Sequence, residues 1–232
     1  MGSDPAPPAK GGRPLKKSLS PALLKLDDDF KQAGGEWREY NLEVLFGKST
    51  RGKRLKSSDR VEGNLPFVTA GEENTGISAY IGNDVQVFRP NSVTIDMFGS
   101  AKFRGYEFGA DDHVAIVHTD HLAKRSAQFI AAAIHKSSYS GKFSYSRNFY
   151  AKDADELMIS LPTINNNLDF SYMELYIKTL EAERIETLEA ERIETLEAYL
   201  TVTGLKEYHL TKNDEKILDT FTKLTDTESR VE

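Results

Sequence analysis

Cysteine is absent from the 232 residues, which removes disulfides, thiolate metal sites and a cysteine nucleophile together and fits a reducing compartment. Long apolar runs are absent too. The strongest, such as Ala127 to Ile134, falls far short of the roughly 18–20 residues that span a bilayer. Nothing resembles a signal peptide, so a soluble, cytoplasmic chain without membrane association is expected. Catalytic signatures are missing as well. No Gly-rich phosphate loop closes on Gly-Lys-Ser/Thr, and no Gly-x-Ser-x-Gly turn exposes a nucleophile. An Asn-Pro-Pro-Tyr-like motif of amino-methyltransferases is lacking. Asp155 and Glu156 precede an apolar strand, Leu157 to Leu161, without the following lysine that a paired-acid nuclease centre needs. His113, His118 and His121, with Asp111, Asp112 and Asp120 nearby, are the best acid-base or metal candidates. Such a role needs converging ligands, and here the residues fall on a strand and the loop leaving it. The expectation is therefore a chain that is not an enzyme, with no catalytic residues, no metal and no cofactor.

The net charge of -6 argues at first sight against nucleic acid, but its distribution matters more than its sum. Residues 171–232 hold 8 Lys and Arg against 15 Asp and Glu, which leaves 22 against 21 for residues 1–170. The acidity thus belongs to the C-terminal part. Within the first part, Lys48, Arg51, Lys53, Arg54, Lys56 and Arg60 crowd one stretch whose only acid is Asp59. This is a local basic footprint of the kind that phosphate binding requires.

Along the chain the texture changes twice. Residues 1–18, with Pro5, Pro7, Pro8, Gly11, Gly12 and Pro14 among small and basic residues, lack the apolar content of a core and are expected to form a flexible leader. Ser20 before Pro21 then opens a helix to about Gln32, and Gly34-Gly35 stop it. From Trp37 to Pro162 short apolar runs alternate with turn residues: Leu65 to Ala70, Ile77 to Ile81, Val85 to Phe88, Val93 to Phe98 and Val114 to Val117. Helical spacing of Leu122, Phe129, Ile130 and Ala133 places one helix over Ala123 to His135. The fold class expected is α+β: a compact β-rich domain with a few helices over residues 19–165.

After the break at Asn165-Asn166-Asn167, Ser171 with Glu174 three residues on has the form of a capping box. It opens a long helix, residues 171–204, that ends at Gly204. Within it Leu-Glu-Ala-Glu-Arg-Ile-Glu-Thr occupies 180–187 and recurs letter for letter at 188–195. Eight residues rotate a helix by about 80° and extend it by about 12 Å. Leu180, Ile185, Leu188, Ile193 and Leu196 thus form a slowly wrapping apolar stripe that needs a partner along its length. A weaker echo aligns Leu19, Ser20, Lys25, Leu26, Asp28 and Phe30 without gaps to Leu210, Thr211, Lys216, Ile217, Asp219 and Phe221. On that alignment the C-terminal segment, residues 205–232, reads as the start of a second unit.

Basic residues interleave with aromatic and hydroxyl residues in three places: Lys48 to Lys56, Ser100 to Arg104, and Lys142 to Arg147. Arg and Lys hold phosphates or read guanine edges, while Asn, Gln, Ser and Thr read bases or position the backbone. The residues expected at duplex DNA are Lys48, Arg51, Lys53, Arg54, Lys56, Thr69, Glu72, Asn74, Ser100, Lys102, Arg104, Lys142, Tyr145 and Arg147.

Several segments resemble a known family in their order. These are Trp37 to Phe46, then Leu65-Pro66-Phe67-Val68-Thr69-Ala70-Gly71 with Asn74-Thr75-Gly76-Ile77 and Tyr80, then Val93-Thr94-Ile95-Asp96-Met97-Phe98-Gly99 to Phe108. Tyr139-Ser140-Gly141-Lys142-Phe143 and Met158-Ile159-Ser160-Leu161-Pro162 follow, and then the Leu/Glu-rich helix. Together, over about residues 36–205, they resemble the target-recognition domains of specificity subunits of type I restriction-modification enzymes and related type II systems. The resemblance implies a domain reading a few base pairs of double-stranded DNA, and long helices that pack antiparallel, coiled-coil-like, as a ruler. It also implies docked methyltransferase subunits, with or without a restriction subunit. A chain with one recognition domain is expected to form a homodimer through the 172–203 helix and to read a symmetric split site, unless it is a fragment of a two-domain subunit. Two other classes stay open on the residues alone: a protein-interaction module whose acidic helix is the working part, and an enzyme using the His113 to His121 cluster.

Overall fold

The computed structural model describes residues 19–207 and 209–228; the expected leader, residues 1–18, lies outside them. The class is α+β, as expected. The chain divides into two compact units, Met1–Leu180 and Glu181–Glu232, so the boundary falls within the long helix.

The first unit opens with α1, Pro21–Gln32, capped as its sequence predicts: the Ser20 hydroxyl accepts the Leu23 N–H at 3.2 Å, with proline at the first helical position. Strand β1, Glu36–Asn41, leads into a single turn of helix, α2, Leu42–Phe46, capped by the Asn41 side chain. There follow β2, Thr50–Arg51; β3, Glu62–Val68; β4, Ile77–Ile81; β5, Ser92–Asp96; β6, Ala101–Arg104; β7, Gly109–Ala110; and β8, Val114–Val117. Helix α3, Lys124–Ser138, and the short α4, Ala151–Asp155, precede β9, Met158–Ile164, and β10, Asn167–Leu168. Helix α5 then runs over Phe170–Thr203, and α6 over Lys212–Glu228.

Three small sheets carry the unit, with strand orders β1-β9-β10, β2-β8-β5-β6 and β4-β3-β7. In the second, β5 is central and every one of its residues is buried. The pairing of β1 with β9, Trp37 opposite Pro162 and Tyr40 opposite Ile159, closes the start of the domain onto its end. It brings α1 and the first turns of α5 to one place. There Phe30 lies 4.5 Å from the Tyr172 ring, while Trp37 meets Phe129 at 6.2 Å and Tyr172 edge-on at 5.9 Å. Burial, with Asp27 nearby, pushes the Tyr172 phenol up to about 12, so it stays a neutral hydroxyl throughout the physiological range.

Three expectations change in detail. Val85 to Phe88 forms no strand; only Phe88 pairs, with Phe108, because Gly82-Asn83-Asp84 before it and Pro90 after it leave no length for a ladder. The cap of α5 is Asp169, whose carboxylate accepts the Tyr172 N–H at 3.0 Å, and the helix starts at Phe170. Ser171 lies inside the first turn, and the Glu174 carboxylate accepts from the Ser126 hydroxyl of α3 instead of closing a capping box. The winning cap is the one whose backbone is already anchored: the Asp169 N–H donates to Pro162 O.

In the second unit the octad leucines and isoleucines, Ile185, Leu188, Ile193 and Leu196, are exposed. The echo between α1 and α6 extends to their caps. Thr211 accepts the Asp214 N–H at 3.3 Å, position for position the bond that Ser20 makes to Leu23. The aligned aromatic residues have opposite fates: Phe30 is 5% exposed and Phe221 65%.

Phe30→Ala is expected to cost about 3–5 kcal/mol, the usual range for emptying a buried aromatic site. Phe221→Ala should leave the unfolding free energy from urea titration unchanged within about 0.5 kcal/mol, as exposed changes do. Equal effects of the two substitutions would contradict the packing described.

Candidate nucleic-acid interface

The basic segment is held by its backbone, not by its charges. Thr50 and Arg51 pair with Ile116 and Ala115 of β8. Beyond them Gly52 lies so close to β7 that a Cβ would sit 1.9 Å from Ala110 O; only glycine fits there. Lys53 N–H donates to Ala110 O at 2.9 Å and Leu55 N–H to the Asp111 carboxylate at 3.3 Å. Arg60 closes the segment with two bonds to Leu55 O and its guanidinium 5.0 Å from the Phe67 ring. Lys48, Arg51, Lys53, Arg54 and Lys56 are all exposed, and none forms an ion pair with a described residue. A fixed main chain presenting five cations outside any ion pair with a described residue is the electrostatic arrangement that anion binding requires.

The loop 69–76, between β3 and β4, has a different character. It is closed by the Thr69 N–H donating to Gly76 O at 2.8 Å, and a Cβ on Gly76 would stand 2.9 Å from Thr69 O. Its tip holds Asn74 at φ 45° and Thr75 at φ 54°. Left-handed backbone is uncommon for any residue with a Cβ and an outlier for a β-branched one, at a cost on the order of 1–3 kcal/mol each. Glu72, Glu73, Asn74 and Thr75 are exposed.

Behind the loop stands a buried polar network. Asp96, 4% exposed, accepts the N–H groups of Phe98 at 2.9 Å, Ser100 at 3.0 Å and Gly71 at 3.3 Å. Lys102 Nζ lies 3.7 Å from the same carboxylate, donates to Ser100 Oγ at 2.9 Å and reaches Glu72 at 3.2 Å. This corrects part of the expected contact set. Ser100 and Arg104 are each 2% exposed, and the charge of Lys102 is already answered by two carboxylates. Three of the predicted DNA-facing side chains therefore support the loop from beneath, because alternation along β6 turns them towards its neighbours.

The third segment, Lys142 to Arg147, is an exposed turn closed by Ser144 and Arg147 bonding each other's backbone at 3.0 and 3.1 Å. Lys142 is exposed, and Tyr145, 85% exposed, stands edge-on to Phe98 at 5.2 Å. Arg147 is tied by two bonds to Asp153 and lies 5.2 Å from the Phe143 ring. Burial alone would push the Asp153 carboxyl up, but the Arg147 and Tyr150 bonds prevail and hold it below its ordinary value. Tyr145 on Phe98, and the Phe149 N–H on Met97 O at 2.8 Å, join this turn to the β5–β6 turn, which Asp96 joins to the loop 69–76. The turn 142–147, the β5–β6 turn and the loop 69–76 therefore touch in series.

The histidines do not converge. His118 bonds Thr50 at 2.9 Å and His121 packs on Phe46 at 6.2 Å. Among the described residues, Asp111, Asp112 and His113 bring one ligand atom each within 4.8 Å of one another, and of these His113 faces Asp112 at 2.9 Å while Asp111 holds Leu55. Of the three, Asp111 positions the basic segment through that bond.

A mixed α+β domain whose chain runs directly into a long helix defines the class to which this fold belongs. The family model for the type I restriction modification DNA specificity domain matches residues 34–190, and the chain belongs to that family. The specificity subunit of a type II restriction enzyme (BgcI, S.BcgI) from Heyndrickxia coagulans is 24% identical over 149 residues, 62% of this chain and 43% of the relative. Among solved structures, a chain from work on complex assembly and conformational transition of the type I R-M system matches with TM-score 0.50 and 19% identity, over 82% of this chain and 46% of that one. The type I S subunit of M. genitalium matches with TM-score 0.48 and 18% identity, over 82% and 52%. The chain thus spans about half the length of the relatives it matches. No helix among the described residues is long and apolar enough to cross a membrane.

A bond from Ser100, with Lys102 behind it, holds the Glu72 carboxyl below its ordinary 4.5. A depressed carboxyl stabilises above its unfolded pKa, and that contribution is lost as pH falls through the folded value. The amides of residues 71–76 should therefore lose protection, relative to their intrinsic exchange rates, as pH falls through the lower end of the carboxylate range, and Glu72→Gln should remove that dependence. A pH-independent loop in both proteins would show that Glu72 does not anchor it.

Proposed function

We propose that this chain is the DNA-reading specificity component of a restriction-modification system, acting in the cytoplasm and without chemistry of its own. The observation that carries this is the pinned edge of five exposed cations, Lys48, Arg51, Lys53, Arg54 and Lys56, beside β7 and so one strand from β3, which leads into the loop 69–76. The cations hold the phosphate backbone and set the register. The tip of the loop, with Glu72, Asn74 and Thr75, meets base edges, where an asparagine pairs with adenine and a glutamate accepts from cytosine. Lys142 and Tyr145 extend the contact along the duplex, and Arg147 shapes their turn. On this reading Arg104, Ser100 and Lys102 act on the loop rather than on the DNA.

The helix supplies the assembly. Between Leu180 and Leu196 the apolar stripe winds about 160° round an ideal helix, so a single straight partner covers only part of it. A second copy packed antiparallel accounts for one side, and methyltransferase subunits, with or without a restriction subunit, for the remainder. A groove of about 720 Å³ lined by Trp37, Phe129, Tyr172, Tyr176, Ile177 and Leu180 continues the apolar surface at the base of α5. Two-fold pairing places two recognition domains on a symmetric split site.

Two measurements test this. Lys53→Gln should weaken binding to all duplex sequences alike and reduce the slope of log affinity against log salt by about 1; an unchanged slope would remove the segment from the interface. The solution mass of the full chain should be that of a dimer, and of a monomer for the Leu188→Glu, Ile193→Glu variant. A monomer in both would sink the two-fold arrangement and leave the DNA contact standing.

A further inference from the structure

The loop tip holds a β-branched residue, Thr75, in left-handed backbone that it does not favour, and a buried side chain bonds it there, beside Asn74's own Nδ2 bond to Ile77 O at 3.3 Å. Arg104, on β6 opposite Ser92, is among the largest fully buried side chains of the unit. Its Nη2 donates to Thr75 O at 2.8 Å, its Nε to Thr94 Oγ1 at 2.9 Å and its Nη1 to the Tyr106 hydroxyl at 3.1 Å. All three acceptors are neutral. For packing alone, an apolar side chain of similar length would serve the site better than an ion taken out of water. What the guanidinium adds is direction: a rigid fork that ties β5 and the Tyr106 hydroxyl to the carbonyl of the one β-branched residue at positive φ in this loop. With Thr75 O turned inward, the Asn74 and Thr75 side chains are left exposed at the tip.

We propose that Arg104 is a positioning residue for sequence discrimination. It clamps Thr75 O so that the Asn74–Thr75 tip meets DNA in a single conformation, and the preference among base pairs, rather than total affinity, depends on it. The inference rests on the reading that loop 69–76 reaches base edges. A preordered tip presents its hydrogen-bonding groups without first losing conformational freedom, and a wrong base leaves them unpaired.

The test uses the full chain and a pool of duplexes with a randomised core, sequenced before and after capture. It compares the wild type with Arg104→Met, Arg104→Lys, Asn74→Ala and the double variant Arg104→Met, Thr75→Gly. Arg104→Met should speed hydrogen exchange at residues 71–76 and lower discrimination by about tenfold at the base pairs the loop reads, with the salt slope unchanged. Arg104→Lys, which keeps the charge but not the fork, should fall in the same direction and stands in if the methionine variant does not fold. Adding Thr75→Gly relieves the left-handed backbone, so the melting temperature should recover while discrimination does not. A purely structural arginine would instead lose melting temperature and discrimination together and regain both with Thr75→Gly, which overturns the proposal. If Asn74→Ala loses discrimination and Arg104→Met keeps it, the clamp falls and base reading by the loop stands. If Asn74→Ala also keeps it, or the wild type enriches no sequence, base reading by the loop falls and the clamp with it.

Discussion

The meeting of Phe30, Trp37, Phe129 and Tyr172 is the contact on which the rest of the first unit depends. It is made by residues from the first helix, the first strand, α3 and the base of α5, and it exists because β1 pairs with β9 across the whole domain. Phe30, Phe129 and Tyr172 are buried there, with Trp37 half-exposed over them, stacked on Phe129 and edge-on to Phe30 and Tyr172. The cluster orients the emerging α5 against a core that cannot shift without opening the β1–β9 ladder. The basic segment and the loop 69–76 are carried by strands β2 and β3 of the same unit.

Within that frame the candidate interface divides its labour physically. The cationic edge is simple: an extended main chain pinned at Gly52, Lys53 and Leu55, with its charges left to solvent. The loop 69–76 is the reverse. It is short, carries two non-glycine residues in left-handed backbone, and is backed by Asp96, Lys102 and Arg104 in a network where nearly every polar group is paired. Flexible cations suit a uniform phosphate backbone, whereas a strained and buttressed tip suits the recognition of a shape. The two kinds of surface adjoin because Lys53 bonds to β7 while β7 pairs with β3, the strand that enters the loop.

The two capped helices show how far local chemistry reaches. Ser20 and Thr211 make the same bond to the third residue of their helices, and Phe30 and Phe221 follow at the same spacing. Caps are local and form wherever the residues occur. Burial is not local: Phe30 finds Tyr172 and Trp37, while the aligned phenylalanine of α6 stays largely in solvent.

By itself the sequence determined the elements whose signals lie within a turn or two: α1 with its serine cap and proline, the strands Ile77–Ile81 and Val114–Val117, the long helix with its octads, and the basic stretch whose charges stay exposed. Only the tertiary structure decided whether Asp169 or Ser171 begins α5, because the deciding bond is Asp169 to Pro162, a partner met across the sheet. It also decided that Ser100, Lys102 and Arg104 face inward. Their alternation with aromatic residues looked like a DNA-contact loop, but a charged side chain on a short strand points to whichever side the pleat dictates. There Asp96, Thr94 and Thr75 supply acceptors that no reading of neighbouring residues reveals. Charge is legible in sequence; whether a charge is already answered depends on residues brought together by the fold.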